Sequence, residues 1–265
     1  MNYTVEEVLK NVYQTQEPEG FSSTLVVGTK RALLFDTMSG RGDLKALVRG
    51  LTALPLCVVN SHGHYDHIAG NVQFDRCYMH GADRELLRRA AGRYPGLSGD
   101  LKAACARALD WMAREGRVQP VCPGARICLG NLDFEVISLQ GHTPGSIGLY
   151  CESLKLLLSG DAFTPQTCLF FPESLPVSTY IETIDRAMKL DFTHFIAGHQ
   201  RRMFEKDVLL KFRACAQLVG TKKGMRYEYS LNPAIKGRIY ILDTGDETLG
   251  EMICLIDKCG EREDP

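Results

Sequence analysis

The chain has 265 residues, 45% of them hydrophobic, enough to bury a substantial core and suited to one domain with a short appendage rather than two large ones. Its formal net charge of −1 and pI near 6.7 leave no electrostatic footprint for phosphate backbones, which argues against nucleic acid as a partner and leaves pairs such as Arg88–Arg89, Arg201–Arg202 and Lys222–Lys223 as solvated surface. The opening MNYTVEEVLKNVYQ carries charges where a secretory signal needs an apolar core, and no apolar run approaches the roughly 20 residues that span a bilayer, so the expected location is the cytoplasm, away from membranes.

The run Pro55 to Val59 suits a buried strand and ends in SHGHYDHIAG, with His62, His64, Asp66 and His67 inside six positions. Side chains repeat every two residues in extended backbone, so His62 and His64 point to one side, while a turn beyond Gly63 swings Asp66 and His67 around a second centre. One short loop can thus feed two ions. Imidazoles and a carboxylate are ligands that zinc, and less selectively iron, manganese or cobalt, accept in hydrolytic sites.

Next come helices over Asp83 to Ala91 and Asp100 to Glu115, broken at Tyr94-Pro95-Gly96, an insertion at about 82–120 that either caps the cleft or forms an outer layer. Three further strand-like runs then repeat the design of the first. Phe134 to Leu139 leads to Gly141 and His142, Leu154 to Leu158 to Gly160 and Asp161, and Phe192 to Ala197 to Gly198 and His199. The glycine before each ligand lets the backbone approach closely. Between the last two runs, Thr179 and Glu182 form a capping box for a helix through Leu190. A helix from about Phe204 to Val219 follows, then a strand at Met225 to Tyr229 and a hairpin, Arg238 to Leu242 with Met252 to Ile256, around Thr244 to Thr248.

The ten cysteines are scattered without a CxxC and suit buried thiols in a reducing compartment better than a disulfide framework. Cys168 is expected to be structural, with the cleft wall as the alternative. His80 and His194 fall outside the ligand pattern and read as structural. Tyr65, Phe163, Phe170, Phe171 and Tyr180 are the candidate pocket walls.

The HxHxDH of His62 to His67, the GHTPGS beginning at Gly141, the SGD ending at Asp161 and the AGH ending at His199 together resemble the motif set of the metallo-β-lactamase superfamily, in its glyoxalase II-like and lactonase-like dinuclear branch. The resemblance covers roughly residues 20 to 200. It implies an α/β fold, a four-layer αββα sandwich of mixed sheets with helices on both outer faces, forming a single domain over 1–265 with a C-terminal β extension at about 221–265. It also implies two divalent metal ions, zinc first and iron or manganese as alternatives. By motif position His62, His64 and His142 bind one ion, Asp66, His67 and His199 the other, and Asp161 bridges them. Leu25 to Val27 and Ala32 to Phe35, with Gly28 near the turn, read as the family's opening hairpin ending at Asp36, a candidate acceptor for a ligand's second ring proton. Ser61 replaces a frequent threonine and Gln200 a frequent glycine; neither removes a ligand.

The chemistry this implies is hydrolysis of a small-molecule ester, thioester, lactone or amide by water activated between two ions about 3.5 to 4 Å apart. Asp66 is the candidate catalytic residue, orienting that water and passing its proton to the leaving group, with ligation alone as the alternative. An iron-dependent persulfide dioxygenase-like oxidoreductase is the second class, and a phosphodiesterase or nuclease the third. A helical C-terminal extension for a glutathione thioester finds no match, and a homodimer through the C-terminal tail stays open.

Overall fold

The computed structural model describes residues 2–86, 88, 95–221, 224–242 and 250–255. The chain starts with a hairpin of β1 (Thr4–Leu9) and β2 (Val12–Gln16), followed by β3 (Ser22–Val27) and β4 (Ala32–Phe35). Those last two are the expected hairpin, in register from Thr24 opposite Phe35 to Val27 opposite Ala32, although β1 and β2 precede it. After α1 (Leu44–Leu51), strands β5 (Leu56–Val59), β6 (Cys77–Met79) and β7 (Val118–Pro120) extend β4 in parallel. The sheet has seven strands in sequence order.

The second sheet has the order β14-β13-β11-β10-β9-β8. Its strands are β8 (Arg126–Cys128), β9 (Asp133–Ser138), β10 (Ile147–Cys151), β11 (Leu156–Gly160), β13 (His194–Ala197) and β14 (Met203–Glu205). A third sheet, in the order β12-β17-β16-β15, joins β12 (Gln166–Leu169) to the C-terminal strands β15 (Met225–Tyr229), β16 (Asn232–Ile241) and β17 (Glu251–Leu255).

Strand alternation sorts the side chains into layers. Val26, Leu33, Phe35 and Val59 of the first sheet meet Phe134, Val136, Leu149, Leu156, Leu158 and Ile196 of the second in a core between the sheets. On the other face of the first sheet, Leu25, Leu34 and Val58 pack under α1, α2 (Tyr65–Ile68) and α3 (Gly99–Met112). On the other face of the second, Leu157 and Phe195 pack under α4 (Val177–Ala187) and α5 (Val208–Gln217). The four layers are therefore helix, sheet, sheet, helix, as the resemblance implies. No helix among the described residues is long and apolar enough to cross a membrane.

Several local expectations are corrected. Helix α4 starts at Val177 with Pro176 as its N-cap and no side-chain cap bond, so Thr179 and Glu182 lie inside the helix and form no capping box. Met203–Glu205 is strand paired antiparallel to β13, and the helix expected from Phe204 starts only at Val208; the unsatisfied edge of β13 outweighs local helix propensity there. The helix expected over Asp83 to Ala91 begins with a 3₁₀ turn, Gly81–Asp83, and much of the rest lies outside the described residues, as do Lys222, Lys223, Thr244 to Thr248 and Ile256. Helix α3 buries Ala104, Ala108, Trp111 and Met112, the last three with Ile68 and Ala69 in the core on the outer face of the first sheet. Eight cysteines are free thiols, while Cys254 is disulfide-bonded, a departure from thiols throughout.

Candidate metal centre

Every residue of the expected ligand set stands at or just beyond the C-terminal end of a strand, and the strand ends meet along one edge of the sandwich. The first sheet contributes His62, His64, Asp66 and His67 after β5. The second contributes His142 after β9, Asp161 after β11 and His199 after β13. Three groups have ligand atoms within 4.8 Å of one another: His62 with His64 and His142, His62 with His67 and Asp161, and Asp66 with His67 and His199. Asp161 lies between the others, its Oδ2 at 3.2 Å from His199 Nε2, 3.4 Å from His67 Nε2 and 3.8 Å from His142 Nε2.

The outward ring nitrogens are held by protein groups, which fixes how each imidazole faces the centre. His67 Nδ1 lies 2.9 Å from Asp36 Oδ2, bearing out Asp36 as an acceptor. Ser61 binds the same carboxylate twice, through its amide to Oδ1 and its hydroxyl to Oδ2, each at 2.7 Å. The hydroxyl also lies 2.9 Å from His62 Nδ1. At Gly160, with φ of +52°, a Cβ would come within 2.5 Å of the Ser61 Cβ, so glycine is needed for both conformation and close approach. His142 Nδ1 donates to the Cys168 carbonyl at 2.7 Å. His199 is held by its backbone, its amide donating to Ser22 Oγ at 3.0 Å and its carbonyl accepting from Gln16 Nε2 at 3.1 Å.

Burial and mutual charge set the protonation pattern. Burial and the neighbouring imidazoles push His62 well below the ordinary histidine value, and burial with His64 pushes His142 down to about 4. Burial works against the charge on His67, yet the Asp161, Asp36 and Asp66 carboxylates outweigh it and hold this imidazole well above 6.5. Asp161, which burial alone would raise, is held well below the usual carboxylate range by His199 and His67. These polar groups are not fully satisfied by one another. His67 Nε2 and Asp161 Oδ1 are buried without a hydrogen-bond partner, a costly arrangement for a protein interior that a cation accepting both would resolve. The donor set therefore fits a divalent metal.

The centre opens into a cavity of about 290 Å³ lined by Tyr65, Phe170, Phe171, Tyr227 and Tyr229, with Asp66, Thr164 and Cys168 among its polar groups. Tyr65 and Phe170 stand where the sequence reading puts them. Phe163 and Tyr180 do not: both are fully buried in the core under α4 and α5, because Phe163 turns away from the cleft toward Phe195 and the Tyr180 hydroxyl pairs with Thr167 at 3.0 Å. Cys168 is a wall residue, and burial pushes its thiol far up. His194 is exposed at the start of β13 and His80 caps the Gly81–Asp83 turn.

Sequence reasoning missed Tyr227 and Tyr229, which reach the cleft from β15, and Asp83. The fully buried Asp83 carboxylate accepts from the Gly63 amide at 3.0 Å, the Thr143 hydroxyl at 2.6 Å and the Gly145 amide at 2.7 Å, locking the loop after β5 to the loop after β9. Its place beyond the end of β6 is the same signal that marks the ligands.

A model of the metallo-β-lactamase superfamily matches residues 18–199, and the chain belongs to that superfamily. Among curated proteins it is similar to the acyl-coenzyme A thioesterase MBLAC2 of Bos taurus, 32% identical over 186 residues, 63% of this chain and 66% of that protein. The protein of the same name from Homo sapiens is 34% identical over 144 residues, 51% of each chain. The chain thus spans about half to two thirds of the length of these relatives. Among solved structures, a beta-lactamase domain protein from Burkholderia ambifaria aligns with a TM-score of 0.64 at 19% identity, covering 82% of this chain and 77% of that one, a likeness of fold.

Proposed function

We propose that the chain is a metallo-hydrolase that cleaves a small acyl thioester at a site for two divalent ions, with zinc as the first candidate. The observation that carries this is the convergence of five imidazoles and two carboxylates at one edge of the two sheets, with His67 Nε2 and Asp161 Oδ1 left unpaired. His62, His64 and His142 would hold one ion, Asp66, His67 and His199 the other, with Asp161 shared. The thioester is the substrate class in the name of the thioesterase relatives. Bound metal ions supply Lewis acidity, lowering the pKa of a water toward neutrality and polarising the scissile carbonyl.

The chain's own groups do the rest. Tyr65, Phe170, Phe171, Tyr227 and Tyr229 form the apolar wall against which an acyl group packs and from which bulk water is excluded. Asp66 Oδ2 lies 3.5 Å from His199 Nε2 and its carboxylate borders the cavity, the position from which it orients the attacking water and carries a proton to the departing thiolate. Burial pushes the Cys168 thiol up, away from the thiolate that a covalent cysteine intermediate would need, which favours water as the nucleophile. The cavity lining includes no lysine or arginine among the described residues, which favours a small molecule over a nucleic acid. Eight of the nine cysteines among the described residues are free thiols, against one disulfide-bonded at Cys254, a balance that favours a reducing compartment, with the cytoplasm as the location.

Elemental analysis of the purified chain should give about two metal equivalents, and acyl-thioester turnover should be lost in Asp161→Ala. A single iron per chain together with oxygen uptake on a persulfide would replace this reading with the oxidoreductase one.

A further inference from the structure

Four of the five clustered imidazoles turn Nε2 toward the centre, and His64 is the exception. Its Nδ1 lies 3.0 Å from His62 Nε2 and 2.9 Å from His142 Nε2, which places its Nε2 on the far side of the ring. There it meets Glu173 Oε1 at 3.1 Å, with the two side chains only 4% and 8% exposed. An imidazole has one bare nitrogen when neutral, and which one is bare depends on where the ring proton is held.

We propose that Glu173 is a positioning residue for the metal centre: it accepts the Nε2 proton of His64, leaving Nδ1 as the atom that His64 offers beside His62 and His142. The inference rests on the metal-centre reading above. Without Glu173, the proton is free to sit on Nδ1, and the ligand is spoiled while every ligating residue is still present. The segment that carries Glu173 is suited to the role. Phe171 lays its ring 4.6 Å from that of His64 and 5.6 Å from that of His142, and Ser174 Oγ donates to the His142 carbonyl at 2.9 Å. Residues 171–174 therefore hold the orientation of two histidines from one group, and Phe171 also forms part of the cavity wall. No motif marks Glu173, because it acts through His64, 109 positions away.

The test is zinc affinity, measured on the full-length metal-free chain by competition with a chromophoric chelator. Glu173→Ala is expected to weaken zinc binding by about 10- to 100-fold with an unchanged circular dichroism spectrum. Glu173→Gln, which keeps a carbonyl oxygen as acceptor, should restore most of the affinity. In the unsubstituted chain, nitrogen-15 NMR of the imidazoles should show His64 protonated at Nε2 and bare at Nδ1, a readout that survives even if the alanine variant does not fold. Wild-type affinity in Glu173→Ala, a proton on Nδ1 of His64, or equal losses in the alanine and glutamine variants would overturn the assignment, the last because it would show that a hydrogen-bond acceptor at this position is not what sustains zinc binding. Failure of the unsubstituted chain to bind zinc would sink the metal centre, a different outcome from any of these.

Discussion

Gly198 offers a test in which one methyl group separates the site from the fold. The residue connects Ala197, the end of β13, to His199, and its φ is outside the left-handed region, so alanine meets no backbone objection. The objection is steric and local. A Cβ at Gly198 would stand 2.1 Å from Asp161 Oδ1, whereas real Cβ contacts stay beyond 3.0 Å, so the carboxylate must withdraw by about 0.9 Å. Its side chain borders the cavity and can tilt that way without disturbing the core. Gly198→Ala should therefore lower the melting temperature by only a few degrees. A misplacement near 1 Å at a reacting centre costs about 10²-fold in rate, equivalent to about 2.7 kcal/mol in the barrier. Gly50→Ala, the same change near the end of α1 with nothing within 4 Å of the new Cβ, should stabilise by up to about 1 kcal/mol and leave turnover alone. Calorimetry, chelator competition for zinc and thioester turnover on the two variants decide the matter. Wild-type zinc affinity and turnover in Gly198→Ala would refute the placement of Asp161 at the centre, and a collapse of folding in that variant would show that the strain does not stay local.

Asp36→Asn keeps a residue type tolerant of φ near +67° but removes the charge that faces His67, so zinc affinity should fall by about 10- to 100-fold in the same competition assay. The pH dependence has a definite sign. Neighbouring carboxylates raise His67 and His199 above 6.5 in the metal-free protein, so at pH 6.5 and below a metal must displace a proton from each. Zinc uptake should weaken as pH falls from the raised values toward 6.5, with protons released into a weakly buffered medium, and a release-free titration near pH 7 would contradict the pattern. The same raised values stabilise the metal-free fold fully below pH 6.5 and lose that contribution as pH rises through them, which a series of melting curves will read. Tyr229, whose ring lies 4.9 Å from Phe170 and 5.6 Å from Phe171, should on truncation to alanine raise KM for an apolar acyl group by about three- to tenfold with kcat nearly kept, from the loss of aromatic contacts worth about 0.5–1.5 kcal/mol.

The clustering of the candidate ligands was legible in the sequence for a physical reason: a layered sheet delivers side chains to one edge only from strand ends, and His142, Asp161 and His199 each follow an apolar run and a glycine. The layers were legible because alternation along β3 and β11 divides Leu25 from Val26 and Leu157 from Leu158. What local pattern does not encode is which elements meet at a distance. Phe163 lies two residues from Asp161 yet faces the opposite core, while Tyr227 and Tyr229 arrive from β15 through a sheet shared with β12. Period-two aromatics on β15 were a visible sign of a one-sided face, but nothing nearby in sequence says what that face looks onto.

The backbone supports the same view of where function sits. Among the described residues, positive φ outside glycine occurs at Asn11, Asp36, Met38, Lys155 and His199. Asn11 and Lys155 lie in the links between β1 and β2 and between β10 and β11, where such conformations serve chain reversal. The other three serve the centre. Asp36 and Met38 flank Thr37, whose amide and hydroxyl both donate to the His67 carbonyl at 2.8 and 3.1 Å. His199 is pinned by Ser22 and Gln16 of the first sheet although it follows β13 of the second. Such conformations cost of the order of 1–3 kcal/mol each and persist because contacts from both sheets over-determine them. The clustered imidazoles and carboxylates likewise come from both sheets, so a bound ion would tie the sheets together. Metal binding and folding would then be linked, and chelation should lower the melting temperature while Asp161→Ala, lacking the residue proposed as the shared ligand, should respond much less to added zinc.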